Sequence, residues 1–372
     1  MMKSVNGHEI IQLFEQFSPK SYAMDGDKIG LQIGRLNKPV ENVLVALDVL
    51  ESVVDEAIEK NVQLIIAHHP PIFRPLQHLR TDNAAGQMLE KLIKHDIAVY
   101  AAHTNLDVAA GGVNDLLAEA LGLKNSEILV PTFKVKLKKL VVYVPEDHAL
   151  NIKQALGDAG AGAIGNYSHC SFSSTGIGQF LPGKNTDPFI GKQGMLESVN
   201  EIRIETIYPA HLEKKVLSAM FKAHPYEEVA YDLYLLENEG DVLGLGRIGE
   251  IEEMSLEEFS EHVKKSLHID RVRIVGDLDA RIQKVAVLGG DGNKYINAAK
   301  IKGADVFVSG DIYYHVAHDA MMMGLNIIDP GHNVEKVMKN GVAAYLTKKS
   351  QEKGYKVSIF PSELNTDPFQ FR

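Results

Sequence analysis

The chain has a single cysteine, Cys170, and no tryptophan. One thiol cannot close an internal disulfide, and that scarcity fits a reducing cytoplasm as the expected location. No run of eighteen apolar residues occurs, which excludes an ordinary membrane-spanning helix. The opening MMKSVNGHEIIQLFEQF reads as an amphipathic helix rather than a signal peptide. Basic charge is also short: 39 Lys and Arg face 49 Asp and Glu, a formal net charge of −10, so nucleic acid is disfavoured as the default partner. What remains, 45% hydrophobic and 24% charged residues, is the composition of a globular protein. At 372 residues the chain is too long for one ordinary core, so two domains are the natural expectation.

Two outer segments share a plan. NVLVALDVL (42–50) reads as a buried strand, 51–60 as a helix and VQLIIAHHP (62–70) as a second strand. Far downstream, KVAVLGGDG (284–292), NKYINAAKIKGA (293–304) and DVFVSGDIYYH (305–315) read as strand, helix and strand with the same spacing. A third strand follows in each, IAVYAAHTNLD (97–107) and LNIIDPGHN (325–333). This pattern predicts an α/β fold of two pseudo-symmetric β-α-β halves, residues 1–130 and 240–372, forming one body around a cleft. Between them, residues 131–239 read as strand, helix, a Gly- and Ser-rich stretch, then strand, helix and strand. That order predicts an inserted ferredoxin-like α+β domain. SLEEFSEHVKKSL carries Ser255 and Glu258 at capping-box spacing, a helix start.

The strand ends carry the chemistry. His68 and His69 close the second strand, His103 and Asp107 follow the third, and His332 with Glu335 follows the last strand of the second half. Imidazoles and carboxylates together suit zinc, iron, manganese or cobalt. Adjacent histidines on an extended strand point to opposite sides, so His68 and His69 are expected to serve different ions of a two-metal site with a bridging carboxylate. In the bland alternative, Asp107 caps a helix beginning near Gly112 and Glu335 is a first-turn acid facing the helix dipole. Asp48, Asp311 and His315 are supporting partners or proton carriers. GGDGNK (289–294) is either a phosphate-cradling turn or a plain strand-to-helix turn. Met321 to Met323 reads as helix packing, and SFSST lacks the setting of a nucleophile elbow.

IIAHHPPIF, AAHTNLDVAAGGVND, GGDGNKYI, SGDIYYHVAHDA and DPGHNVE, in that order, resemble the Nif three-like family, whose members are often named GTP cyclohydrolase 1 type 2 homologs. GIGQFLP and AHPYEEVAYDLY are similar to the CutA- and P-II-like insert of its longer bacterial members. The resemblance implies a dinuclear centre with two divalent ions per chain, zinc ahead of iron, manganese or cobalt, and a ring-shaped homohexamer. It implies as ligands His68, His69, Asp107, His332 and Glu335, with Glu335 bridging, His68 and His332 on one ion, and His69 and Asp107 on the other. His103 matches a position close to the metals and, with His315, is the expected proton carrier. The family often carries a tryptophan in the segment that here reads YAMDGDKIGLQIG. The implied activity is that of a metal-dependent hydrolase acting on a nucleotide or other small molecule. The alternative is a non-catalytic metal-binding or regulatory scaffold whose insert senses a small ligand or drives assembly.

Overall fold

A computed structural model describes residues 3–370. It divides into two compact units: one joins the chain up to Phe133 with Leu243 onward, and the other is Lys134–Val242. In chain order the strands are β1 (Gly30–Ile33), β2 (Asn42–Ala46), β3 (Leu64–Ala67), β4 (Ala98–Ala101), β5 (Lys124–Pro145), β6 (Phe172–Phe180) and β7 (Glu197–Pro209). There follow β8 (Tyr231–Ser255), β9 (Arg273–Val275), β10 (Arg281–Asp291), β11 (Val306–Gly310), β12 (Asn326–Asp329) and β13 (Ser358–Pro361). The long strands β5 and β8 carry the chain from one unit to the other.

The first unit contains two sheets. One has the order β1-β4-β3-β2-β13, parallel except for the edge pair β1/β4. In the other, β10, β11 and β12 run parallel, flanked by antiparallel β8 and β9. Strands β2, β3, β4 and β11 are apolar and almost wholly buried, as expected of parallel strands covered on both faces. Within β2, Val43 and Val45 face one cluster while Leu44 and Ala46 face another, the period-two alternation of a strand. The first cluster also takes in Val285, Val287, Val306 and Val308 of the second sheet, together with Phe14, Leu117, Phe259 and Met338. A helical layer made of Gly7–Phe17, Val113–Ala120, Leu256–Leu267 and Val337–Glu352 therefore fills the space between the sheets. The helices Glu51–Glu59 and Ala84–Lys94 cover the far side of the first sheet.

Local signals explain the element ends. Asn6 and Ser255 each cap a helix through a complete capping box with Glu9 and Glu258. The opening helix starts at Gly7, and the first two residues of the segment read as helical lie outside the described residues. The expected strand 62–70 stops at Ala67, because two prolines follow the histidines and cannot donate to a ladder. The expected strand 305–315 ends at Gly310, where Asp311 adopts a positive φ of 57° and turns the chain into the helix Tyr314–Met322. The read helix 293–304 is a short 3₁₀ turn followed by the helix Ile296–Ile301. The outer segments also interleave: β13, near the end of the chain, pairs in parallel with β2 of the first sheet.

The second unit has the strand order β6-β7-β5-β8, and its helices Ala149–Asp158 and Glu213–Ala223 pack on the sheet through Ile152, Leu156, Val216 and Met220.

In the first unit, one buried side chain ties the two sheets' strand ends together. Asn114 donates from Nδ2 to the Asp107 carbonyl at 2.9 Å and accepts at Oδ1 from the Gly289 backbone N–H at 3.0 Å. Replacing it with leucine keeps the bulk and leaves both backbone groups unsatisfied. Asn114→Leu is expected to lower stability by about 2–6 kcal/mol in urea denaturation, since each of the two buried groups left unpaired costs roughly 1–3 kcal/mol. An unchanged unfolding midpoint would contradict this role.

Candidate metal centre

Parallel strands aim their carboxyl ends at one place, and ligands bind there in open α/β sheets. His68 and His69 follow β3 and still donate their backbone N–H groups to Ala46 and Leu47. His103 follows β4 and leads into the short helix Thr104–Val108, which carries Asp107. His332 opens the 3₁₀ turn His332–Lys336 after β12, which places Glu335 one turn on.

These side chains meet around Glu335, which is only 3% exposed. Its Oε2 lies 3.1 Å from His69 Nε2, 3.2 Å from His332 Nε2 and 3.6 Å from His68 Nε2. His68 Nε2 is also 3.6 Å from Asp107 Oδ1. Three overlapping groups have all their ligand atoms within 4.8 Å of one another: His68, His69 and His103; His69, His332 and Glu335; His68, Asp107 and Glu335. In these groups His332 lies with His69, and Asp107 lies with His68. The adjacent histidines do not point simply to opposite sides. Their rings are 4.9 Å apart, because β3 has ended before them and strict alternation no longer applies.

Each imidazole is held from behind. Nδ1 of His68 donates to the Ala102 carbonyl (2.8 Å), that of His69 to Asp48 (2.6 Å), that of His103 to Asp27 (2.8 Å) and that of His332 to Asp311 (2.6 Å). Such partners fix the ring and leave Nε2 free to face the centre. Asp48 and Asp311, read from the sequence as supporting partners, occupy that place. Asp27 was not singled out. It also accepts from the Thr104 backbone N–H (2.9 Å) and hydroxyl, and Thr366 donates to Asp48. Both partners come from distant segments, and a lone Asp in DGDK or Thr in NTDP has no local signature.

Other residues take plainer places. Asp107 does not cap the next helix; Gly112 is its N-cap, and no side chain caps it. His315 is exposed, packs against Tyr314 and belongs to none of the three groups. Within GGDGNK, Gly289 and Gly290 back onto Glu335. A Cβ on Gly290 would sit 2.8 Å from Glu335 Oε1, and the residue has a positive φ of 68°.

The electrostatics follow from packing acids and imidazoles out of water. Burial works against charge on His69, yet hydrogen bonds to Asp48 and Glu335 raise its pKa to about 10. His332 rises to about 9 through its hydrogen bond with Glu335, against the effect of burial. Burial pushes Asp107 up to about 6 despite the pull of His68. Burial likewise opposes ionisation of Glu335, but the surrounding histidines, His68 foremost, hold it well below the ordinary carboxylate range. Asp27 is also lowered, its hydrogen bonds with His103 and Thr104 outweighing burial.

Two buried atoms of the cluster, His68 Nε2 and Asp107 Oδ1, face each other at 3.6 Å and make no hydrogen bond among the described residues. Orphans of this kind are costly in a protein interior and call for an explanation. A cation supplies one. Metal–ligand bonds of about 2.0–2.2 Å at tetrahedral angles set ligand atoms roughly 3.3–3.6 Å apart, close to the 3.1–3.6 Å found here. The donor set of imidazoles and carboxylates fits a divalent transition metal.

Without a cation, the inward nitrogens of His69 and His332 hold protons at neutral pH. A metal must displace them, so affinity is expected to rise with pH from about 7 toward 9. Calorimetric titration with zinc at pH 7.5, in buffers of different ionisation enthalpy, should detect roughly one to two protons released per chain. A heat independent of buffer would contradict the protonated cluster.

Comparison with known proteins agrees with these motifs. The family model described as Duf34/NIF3 (NGG1p interacting factor 3) matches residues 5–368. The GTP cyclohydrolase 1 type 2 homolog of Bacillus subtilis (strain 168) is 63% identical over 372 residues, spanning 100% of both chains. Its Staphylococcus aureus (strain MSSA476) counterpart is 39% identical over 364 residues, 98% of this chain and 99% of the other. Among solved structures, a Bacillus cereus protein related to NIF3 matches with a TM-score of 0.95 at 63% identity over all of both chains. Staphylococcus aureus protein SA1388 matches with a TM-score of 0.76 at 35% identity, again over the full length of both. Because the likeness runs end to end and takes in every stretch that builds the cluster, the chain belongs to the Duf34/NIF3 family.

Proposed function

We propose that the chain is a dinuclear metal-dependent hydrolase acting on a nucleotide or related small molecule. One observation carries this reading: a single buried carboxylate, Glu335, brings its Oε2 to His69, His332 and His68 alike, and His68 in turn lies 3.6 Å from Asp107. Glu335 would bridge, with His69 and His332 completing one ion's protein ligands and His68 and Asp107 the other's. When bound, a pair of divalent cations lowers the pKa of water and polarises a substrate oxygen.

The chain's own residues supply the rest. Asp48 and Asp311 hold the His69 and His332 rings in the tautomer that keeps Nε2 inward. His103 sits within the first group, its Nδ1 fixed by Asp27, so its Nε2 can accept a proton from a reacting group and return it. His315, outside the cluster, has no part in this scheme. The names of the relatives support nucleotides as the substrate class to test first. The strand order of the second unit supports a ferredoxin-like insert, and self-association into a hexamer belongs to the same proposal. Light scattering should then give the mass of six 41.0 kDa chains, and a mass of one chain would contradict the ring.

Elemental analysis of wild type and Glu335→Gln tests the centre. About two ions per chain are expected in wild type. In the variant, metal affinity and any nucleotide hydrolysis should fall by about 10–100-fold or more. Equal metal content in both would overturn the bridging role. Full loading with no turnover of any nucleotide or phosphoester would overturn the hydrolase and favour a metal-binding scaffold.

A further inference from the structure

The second unit has a cleft of its own, within residues 179–230, with a volume of about 290 Å³. It is bounded by the end of β6, the loop that follows, Glu201 on β7 and the segment leading into β8. Such a volume suits a small molecule rather than a dinucleotide, since drug-sized sites span about 300–1,000 Å³.

Its lining is chemically one-sided. Three aromatic rings wall it, with Tyr226 shared between Phe180 at 5.9 Å and Phe189 at 6.4 Å. Three carboxylates line it, Glu201, Glu227 and Glu228, and no Lys, Arg or His does. That combination repels phosphates and carboxylates. Ring faces carry negative charge density and attract an ammonium group, and carboxylates supply its counter-charge.

The cleft is also preorganised. The Tyr226 hydroxyl donates to Glu201 Oε1 at 3.1 Å, so the wall and its acid are joined. The Tyr226 backbone N–H donates to His224 Nδ1 at 3.1 Å, and His224 Nε2 donates to the Tyr143 carbonyl at 2.9 Å. Glu227 accepts from the Asp187 backbone N–H at 3.0 Å, tying the loop to the opposite wall. Gly178 leaves space for Glu201, because a Cβ there would fall 2.1 Å from its Oε2.

We propose that this cleft binds a small organic cation: an ammonium group on a short apolar skeleton, seated among Phe180, Phe189 and Tyr226 and neutralised by Glu201. The site is independent of the metal centre and of any reaction there.

Choline is a suitable cation, with 3,3-dimethylbutanol, its uncharged isostere, as control. Calorimetry on the full chain should show saturable choline binding and at least about tenfold weaker binding of the alcohol. Glu201→Gln should weaken choline binding about tenfold without changing the alcohol's affinity. Glu228→Gln, at an exposed position, should weaken choline binding in the same direction. Absence of saturable choline binding, equal binding of the two compounds, or choline affinity unchanged in both variants would each overturn the proposal.

Discussion

The site depends on keeping one carboxylate ionised where water cannot reach it. Glu335 is buried, and charge at such a position survives only if it is paired and hydrogen-bonded. Three imidazoles approach one of its oxygens, while Gly289 and Gly290 press their backbones against the side chain. Each imidazole in turn needs an acceptor behind it, which accounts for Asp48, Asp311 and the Ala102 carbonyl. The arrangement extends backward to strand ends: β3, β4, β11 and β12 stop where these groups are required. Asn114 locks the turn carrying Asp107 to the glycine wall.

Much of this was legible in the sequence, for identifiable reasons. Strands buried on both faces are continuous apolar runs, so NVLVA, LIIA, AVYA and VFVSG stood out, and a polar residue directly after such a run marks a strand end. His68, His69, Asp107, His332 and Glu335, which lie together in the structure, stand out in that way and by motif likeness. How they group around Glu335 was not, because grouping depends on how two sheets pack across a helical layer. The groups behind the imidazoles were half legible. Asp48 and Asp311 follow strands, but Asp27 and Thr366 lie on irregular segments brought in by tertiary packing. The pairing of β13 with β2 was invisible for the same reason, since SIFP is short and follows a long helix.

The two units present contrasting chemistry. In the first, acids and imidazoles surround two buried atoms that make no hydrogen bond among the described residues, an arrangement suited to a cation with directional bonds. In the second, aromatic rings and carboxylates line an open cleft without a single basic group, which asks for a soft, poorly hydrated cation. A hydrophobic core built on Leu140, Val142, Ile152 and Val216 supports that cleft separately.

The central claim, that Glu335 bridges two cations, is tested most directly by crystals grown with zinc and measured at the zinc absorption edge. Two anomalous peaks about 3.5–4 Å apart are expected, one beside His69 and His332 and one beside His68 and Asp107, with Glu335 between them. A single peak, or peaks away from Glu335, would contradict the account.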